Sequence, residues 1–122
     1  MSMTVLVVDD EMLIALDIQA QLEERGHEVI TAASVSEALA AIAARDDIAL
    51  AILDWHVGSG DAAPLARELS IREIPFVICS GSMVEEVAER FADVPYVPKP
   101  FSPDQLVDAV ARAAARRSAS LN

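Results

Sequence analysis

Five short apolar runs alternate with five helical patterns along this chain, with no linker or internal repeat between them. Three runs carry no charged residue: Thr4–Val8, 49–53 and 76–79. Such unbroken runs predict strands buried on both faces. Glu28–Ala32 is different, because Val29 and Ile30 are flanked by Glu28 and Thr31, as in a half-exposed edge strand. Residues 96–97 form a minimal fifth run. Residues 11–25 place Ile14, Ile18 and Leu22 at four-residue spacing, an amphipathic helix stopped by Gly26. Ser34 caps a helix through Ala44, with Glu37 completing a capping box. A loop over 58–60 leads to a short helix near 62–69, about two helical turns are expected over 84–91, and 102–117 closes the chain as a longer helix.

This alternation predicts an α/β architecture, an open five-stranded parallel sheet with helices on both faces. The apolar runs belong in the centre, and the polar second and short fifth runs at the edges. Right-handed crossovers then favour the strand order 2-1-3-4-5. The chain reverses direction between strands one and three, and ligands of such sheets sit beyond the carboxyl ends of the strands at that point.

The length, 122 residues, fits a single domain over 1–122. The lone cysteine, Cys79, lies inside an apolar run, which excludes an internal disulfide and suits a reducing compartment. No apolar stretch approaches the ~18 residues of a membrane span, and the run over 5–8, short, without a basic flank and running directly into acids, does not read as a secretory signal. A cytoplasmic protein without membrane contact is expected. The formal net charge is −11, with no clustered basic face to neutralise phosphates, so nucleic acid is not an expected partner.

The candidate chemistry lies at the strand ends. Asp9 and Asp10 follow strand one, Asp54 follows strand three, Ser80 follows strand four and Lys99 follows strand five. Three carboxylates converging there require a compensating cation, because like charges raise one another's pKa. Mg²⁺ meets the need with a few carboxylates and several waters. The backbone carbonyl of His56 is a further candidate ligand. Taken singly, each residue has a plainer reading. Asp10 and Ser80 could be helix caps and Lys99 a surface lysine. Their joint placement at four strand ends is what favours a site.

The run Val5-Leu6-Val7-Val8-Asp9-Asp10-Glu11, the strand end Ile52-Leu53-Asp54, Cys79-Ser80-Gly81 and Lys99-Pro100-Phe101 together resemble the receiver domain of bacterial two-component response regulators, of the stand-alone single-domain type. The resemblance covers essentially the whole chain. It implies a flavodoxin-like doubly wound fold with Asp54 as phosphoacceptor, charged by a sensor histidine kinase or a histidine phosphotransfer protein. Asp9, Asp10 and Asp54, with the His56 carbonyl, would hold Mg²⁺. Lys99 would pair with the phosphoryl oxygens and Ser80 would hydrogen-bond one of them. Tyr96 matches the aromatic switch position, and Lys99-Pro100 the family's cis peptide bond. His56 and Ser82 occupy positions that tune how fast the phosphoryl group is lost. The implied protein is a switch that resets by autodephosphorylation rather than an enzyme, and a monomer or weak homodimer.

The chain departs from the pattern between Ser80 and Lys99, where only 84–91 reads as helical. A shortened fourth helix resembles that of a subgroup of stand-alone receivers and puts the usual output face in question. Trp55 is expected to be partly exposed at the site mouth, and His27 to be a surface loop residue. A Mg²⁺-dependent phosphohydrolase would want an Asp-x-Asp arrangement and a cap; here the acids are adjacent. An unphosphorylated interaction module would lack one of the site residues. A flavin-binding domain would want a phosphate loop where Asp9-Asp10-Glu11 would repel one.

Overall fold

The computed structural model describes residues 2–58, 60–81, 91 and 93–121, with side chains as far as Arg116. In chain order the elements are β1 (Thr4–Val8), α1 (Met12–Glu24), β2 (Glu28–Ala32), α2 (Val35–Ala44), β3 (Ile48–Asp54), β4 (His56–Val57), β5 (Gly60–Asp61), α3 (Ala63–Ile71), β6 (Phe76–Ser80), β7 (Tyr96–Pro98) and α4 (Pro103–Leu121). The expected helix over 84–91, Phe91 excepted, and Ser82 lie outside the described residues.

Five strands form one parallel sheet in the order β2-β1-β3-β6-β7. Counted without β4 and β5, this is the expected order 2-1-3-4-5. The apolar runs take the centre, and every residue of β3 and β6 is buried. The period of two along a strand divides the core into two layers. On one face, Leu6, Val8, Ala51, Leu53 and Ile78 pack with Ala38 and Ile42 of α2 and Leu65, Ala66 and Leu69 of α3. On the other, Val5, Val7, Leu50, Ile52 and Val77 pack with Ala15, Ile18 and Leu22 of α1 and Leu106, Ala109 and Ala113 of α4.

Local signals end the helices where expected. Gly26, at φ +87°, turns the chain after α1. Ser34 Oγ accepts the Glu37 N–H at 3.1 Å, and Glu37 Oε2 accepts the Ala33 N–H at 2.9 Å. This is the expected capping box, with its return bond one residue earlier than the usual pattern.

One expectation is corrected. Trp55 is 1% exposed rather than at the site mouth. The alternation that buries Ala51 and Leu53 carries Trp55 into the same layer, where its ring meets Phe91 edge-on at 5.7 Å. His27 lies in the loop after α1 as expected, partly buried, and its Nδ1 accepts the Met3 N–H at 3.1 Å. Burial, helped by nearby positive charge, pulls its pKa down.

Candidate functional site

The parallel sheet brings the carboxyl ends of β1, β3, β6 and β7 to one edge, and five of the expected site residues, Asp9, Asp10, Asp54, Ser80 and Lys99, lie there. Asp9 lies one residue beyond β1, whereas Asp54 and Ser80 are the last residues of β3 and β6. That final strand position keeps Asp54 and Ser80 buried, at 7% and 1% exposure. Asp9 is also buried, and Asp10 is exposed. Carboxylate oxygens of Asp9, Asp10 and Asp54 lie within 4.8 Å of one another, a group that could hold a metal ion.

Lys99, one residue beyond β7, reaches into this cluster. Its Nζ donates to Asp9 Oδ2 at 2.9 Å and lies 3.5 Å from Asp54 Oδ2. The Lys99-Pro100 peptide bond is cis. Asp9 Oδ1 also accepts the Glu11 N–H at 2.9 Å, so both Asp9 oxygens are engaged. Asp10 does not cap α1, whose N-cap is Glu11 without a side-chain bond. Its Oδ2 instead accepts the Gly58 N–H at 3.0 Å.

The electrostatics follow from that crowding. Burial is the largest influence on Asp54 and raises its pKa to about 6. Lys99 opposes the rise, and Asp9 and Asp10 add to it as like charges. Burial pulls Lys99 down, but the Asp9 hydrogen bond and the Asp54 charge outweigh it, and the net shift is upward. Among the described residues, the Lys99 ammonium pairs with Asp9 and Asp54 in a cluster of three carboxylates, and a further positive charge would be strongly favoured. The donor set is all oxygen, which suits a hard divalent ion.

Behind the site, the Ser80 carbonyl accepts the Lys99 N–H at 2.9 Å and the Tyr96 hydroxyl at 3.3 Å. Tyr96 is half-buried at the start of β7 and so touches the same strand end from below. His56 is exposed, two residues beyond Asp54. It begins the antiparallel pair of β4 and β5, where a loop is expected from the sequence. Its two-residue strands are too short to show alternation, and only Gly58 and Gly60 signalled a turn.

The fold and the strand-end cluster together define a flavodoxin-like domain with an acidic, lysine-capped switch point. The profile described as the response regulator receiver domain matches residues 5–111. This chain belongs to the response regulator receiver family, whose general function is phosphorylation on an aspartate. Among curated relatives, the transcriptional regulatory protein PdtaR of Mycobacterium tuberculosis is 29% identical over 116 residues, covering 92% of this chain and 57% of that protein. The phosphate regulon transcriptional regulatory protein PhoB of Pseudomonas aeruginosa is 34% identical over 111 residues, covering 85% and 48%. The chain therefore spans about half the length of the curated relatives it matches. Among solved structures, SdrG from Sphingomonas melonis Fr1 is 35% identical with a TM-score of 0.80, covering 91% of this chain and 95% of that one. NtrX from Brucella abortus is 31% identical with a TM-score of 0.87, covering 98% and 29%. Among the described residues, no helix is long and apolar enough to cross a membrane.

Proposed function

We propose that residues 1–122 form one receiver domain that accepts a phosphoryl group on Asp54 and is charged by a histidine kinase or histidine phosphotransfer protein. The observation that carries this reading is the meeting of Asp54 with Asp9, Asp10 and Lys99 at one strand edge. A carboxylate oxygen of Asp54 attacks the phosphorus of a phosphohistidine. The new O–P bond forms as the N–P bond breaks, and the imidazole leaves with the electron pair and takes up a proton.

Asp9, Asp10 and Asp54, with the His56 backbone carbonyl, would hold Mg²⁺, which when bound neutralises charge among the carboxylates and the phosphoryl oxygens. Lys99 swings its ammonium from the Asp9–Asp54 pair to the incoming phosphoryl oxygens, a short move given its 3.5 Å approach to Asp54. Ser80 turns its hydroxyl to another of those oxygens. Tyr96 is tied to the Ser80 carbonyl, so a shift of that strand end is passed to β7 and to the face it shares with α4. Attack of water on the same phosphorus resets the domain without further substrate, and His56, with Ser82, tunes that loss.

A protein donor must cover the site mouth, since Asp54 is almost wholly buried. Met12, Leu13 and Leu16 of α1 stand 74%, 83% and 51% exposed only a few residues beyond Asp9 and Asp10. This apolar surface beside the acceptor suits the helical face of such a donor. Borohydride trapping tests the assignment: reduction of the phosphorylated chain should leave homoserine at position 54. Homoserine at any other aspartate would refute it.

A further inference from the structure

Asp10 is the exposed member of the acidic cluster, and nothing in α1 holds it, because Glu11 takes the N-cap position. Its anchor comes from across the site, the Gly58 N–H on Oδ2 at 3.0 Å. Gly58 has φ +64°, in the left-handed region, and that conformation of the β4–β5 turn presents the N–H to Asp10. A Cβ built on Gly58 meets nothing within 4 Å. Glycine is therefore called for by the backbone angle and not by crowding.

We infer that Gly58 is a positioning residue for the cation site. Its N–H holds the Asp10 carboxylate toward Asp9 and Asp54, leaving the remaining lone pairs of Asp10 for the ion. An exposed aspartate otherwise samples several rotamers, and fixing one before the ion arrives removes part of the ordering cost of binding. The short hairpin is thus part of the metal site although it contributes no charge to it. This inference rests on the Mg²⁺ reading proposed above.

The test is a Mg²⁺ titration of the full chain followed by amide chemical shifts. Gly58→Asn keeps the N–H and tolerates positive φ, so it should bind within twofold of wild type. Gly58→Pro removes the donor and should bind about fivefold more weakly, while the metal-free shifts of β1, β3 and β6 stay in place. Should Gly58→Pro fail to fold, Gly58→Ala carries the same expectation, because alanine abandons the left-handed angle and swings the N–H away. Binding within twofold of wild type by Gly58→Pro, or by Gly58→Ala where the proline variant does not fold, would overturn the inference, as would equal weakening by Gly58→Asn. A wild-type chain that shows no Mg²⁺ response would overturn the underlying reading, and that failure is visible without any variant.

Discussion

Asp54 is held in a place that opposes its charge. Burial and two neighbouring acids raise its pKa from 3.8 to about 6, with Lys99 as the opposing influence. The folded, metal-free chain therefore binds a proton here that the unfolded chain has released, over roughly pH 4 to 6. Stability falls as pH rises through that window, and the penalty is complete above it. Asp54→Asn removes the penalty. In the presence of a chelator the variant should be more stable than wild type by about 2 kcal/mol at pH 7, with the difference vanishing near pH 4. Chemical denaturation at several pH values checks this, and a gap independent of pH would contradict it. Lys99→Met acts in the opposite sense. It leaves Asp9 and Asp54 without their cation, and should cost about 2 kcal/mol at pH 7 and less at pH 5, where Asp54 takes up a proton.

At this scale the residue types and their strand-end positions were legible, because a short strand fixes which residue reaches its carboxyl end. The partners were not. Nothing in the spacing says that Lys99 sits closer to Asp9 than to Asp54, or that Asp10 would turn to Gly58 rather than cap its own helix. Those choices depend on how strands far apart in sequence are staggered. Trp55 follows the acceptor in sequence, but the alternation along β3 that buries Ala51 and Leu53 carries it into the core.

Among the elements, α1 serves two surfaces. Ala15, Ile18 and Leu22 face the core, and Met12, Leu13 and Leu16 face outward. The outward residues lie on the helix end nearest the acceptor site. Leu13→Glu should slow phosphorylation by a protein donor at least tenfold and leave phosphorylation by a small acyl phosphate unchanged, since only the former needs the face. Equal effects on both donors would place Leu13 outside the docking surface. At β7, Tyr96→Ala should leave the phosphoryl adduct intact but reduce the amide shift changes that phosphorylation causes in α4. Unreduced changes would show that the switch bypasses Tyr96. The capping box of α2 and the Gly26 turn were readable because each is a local contract between residues a few positions apart. The β4–β5 pair was not, since two-residue strands carry no period.

For the whole molecule, the alternation of buried runs and amphipathic helices determined nearly everything that positions the site. Charge-free runs belong inside the sheet, and right-handed crossovers then favour the order that is observed. Between Ser80 and Lys99 the expected helix over 84–91 lies outside the described residues apart from Phe91.

The central claim is that this sheet edge makes Asp54 a Mg²⁺-dependent phosphoacceptor. Its most direct test is the intact mass of the chain after incubation with a small acyl-phosphate donor, with and without Mg²⁺, for wild type and Asp54→Asn. The account predicts a labile single-phosphoryl adduct on wild type that requires Mg²⁺ and is absent from the variant. An adduct that persists in Asp54→Asn, or that forms equally in a chelator, would contradict it.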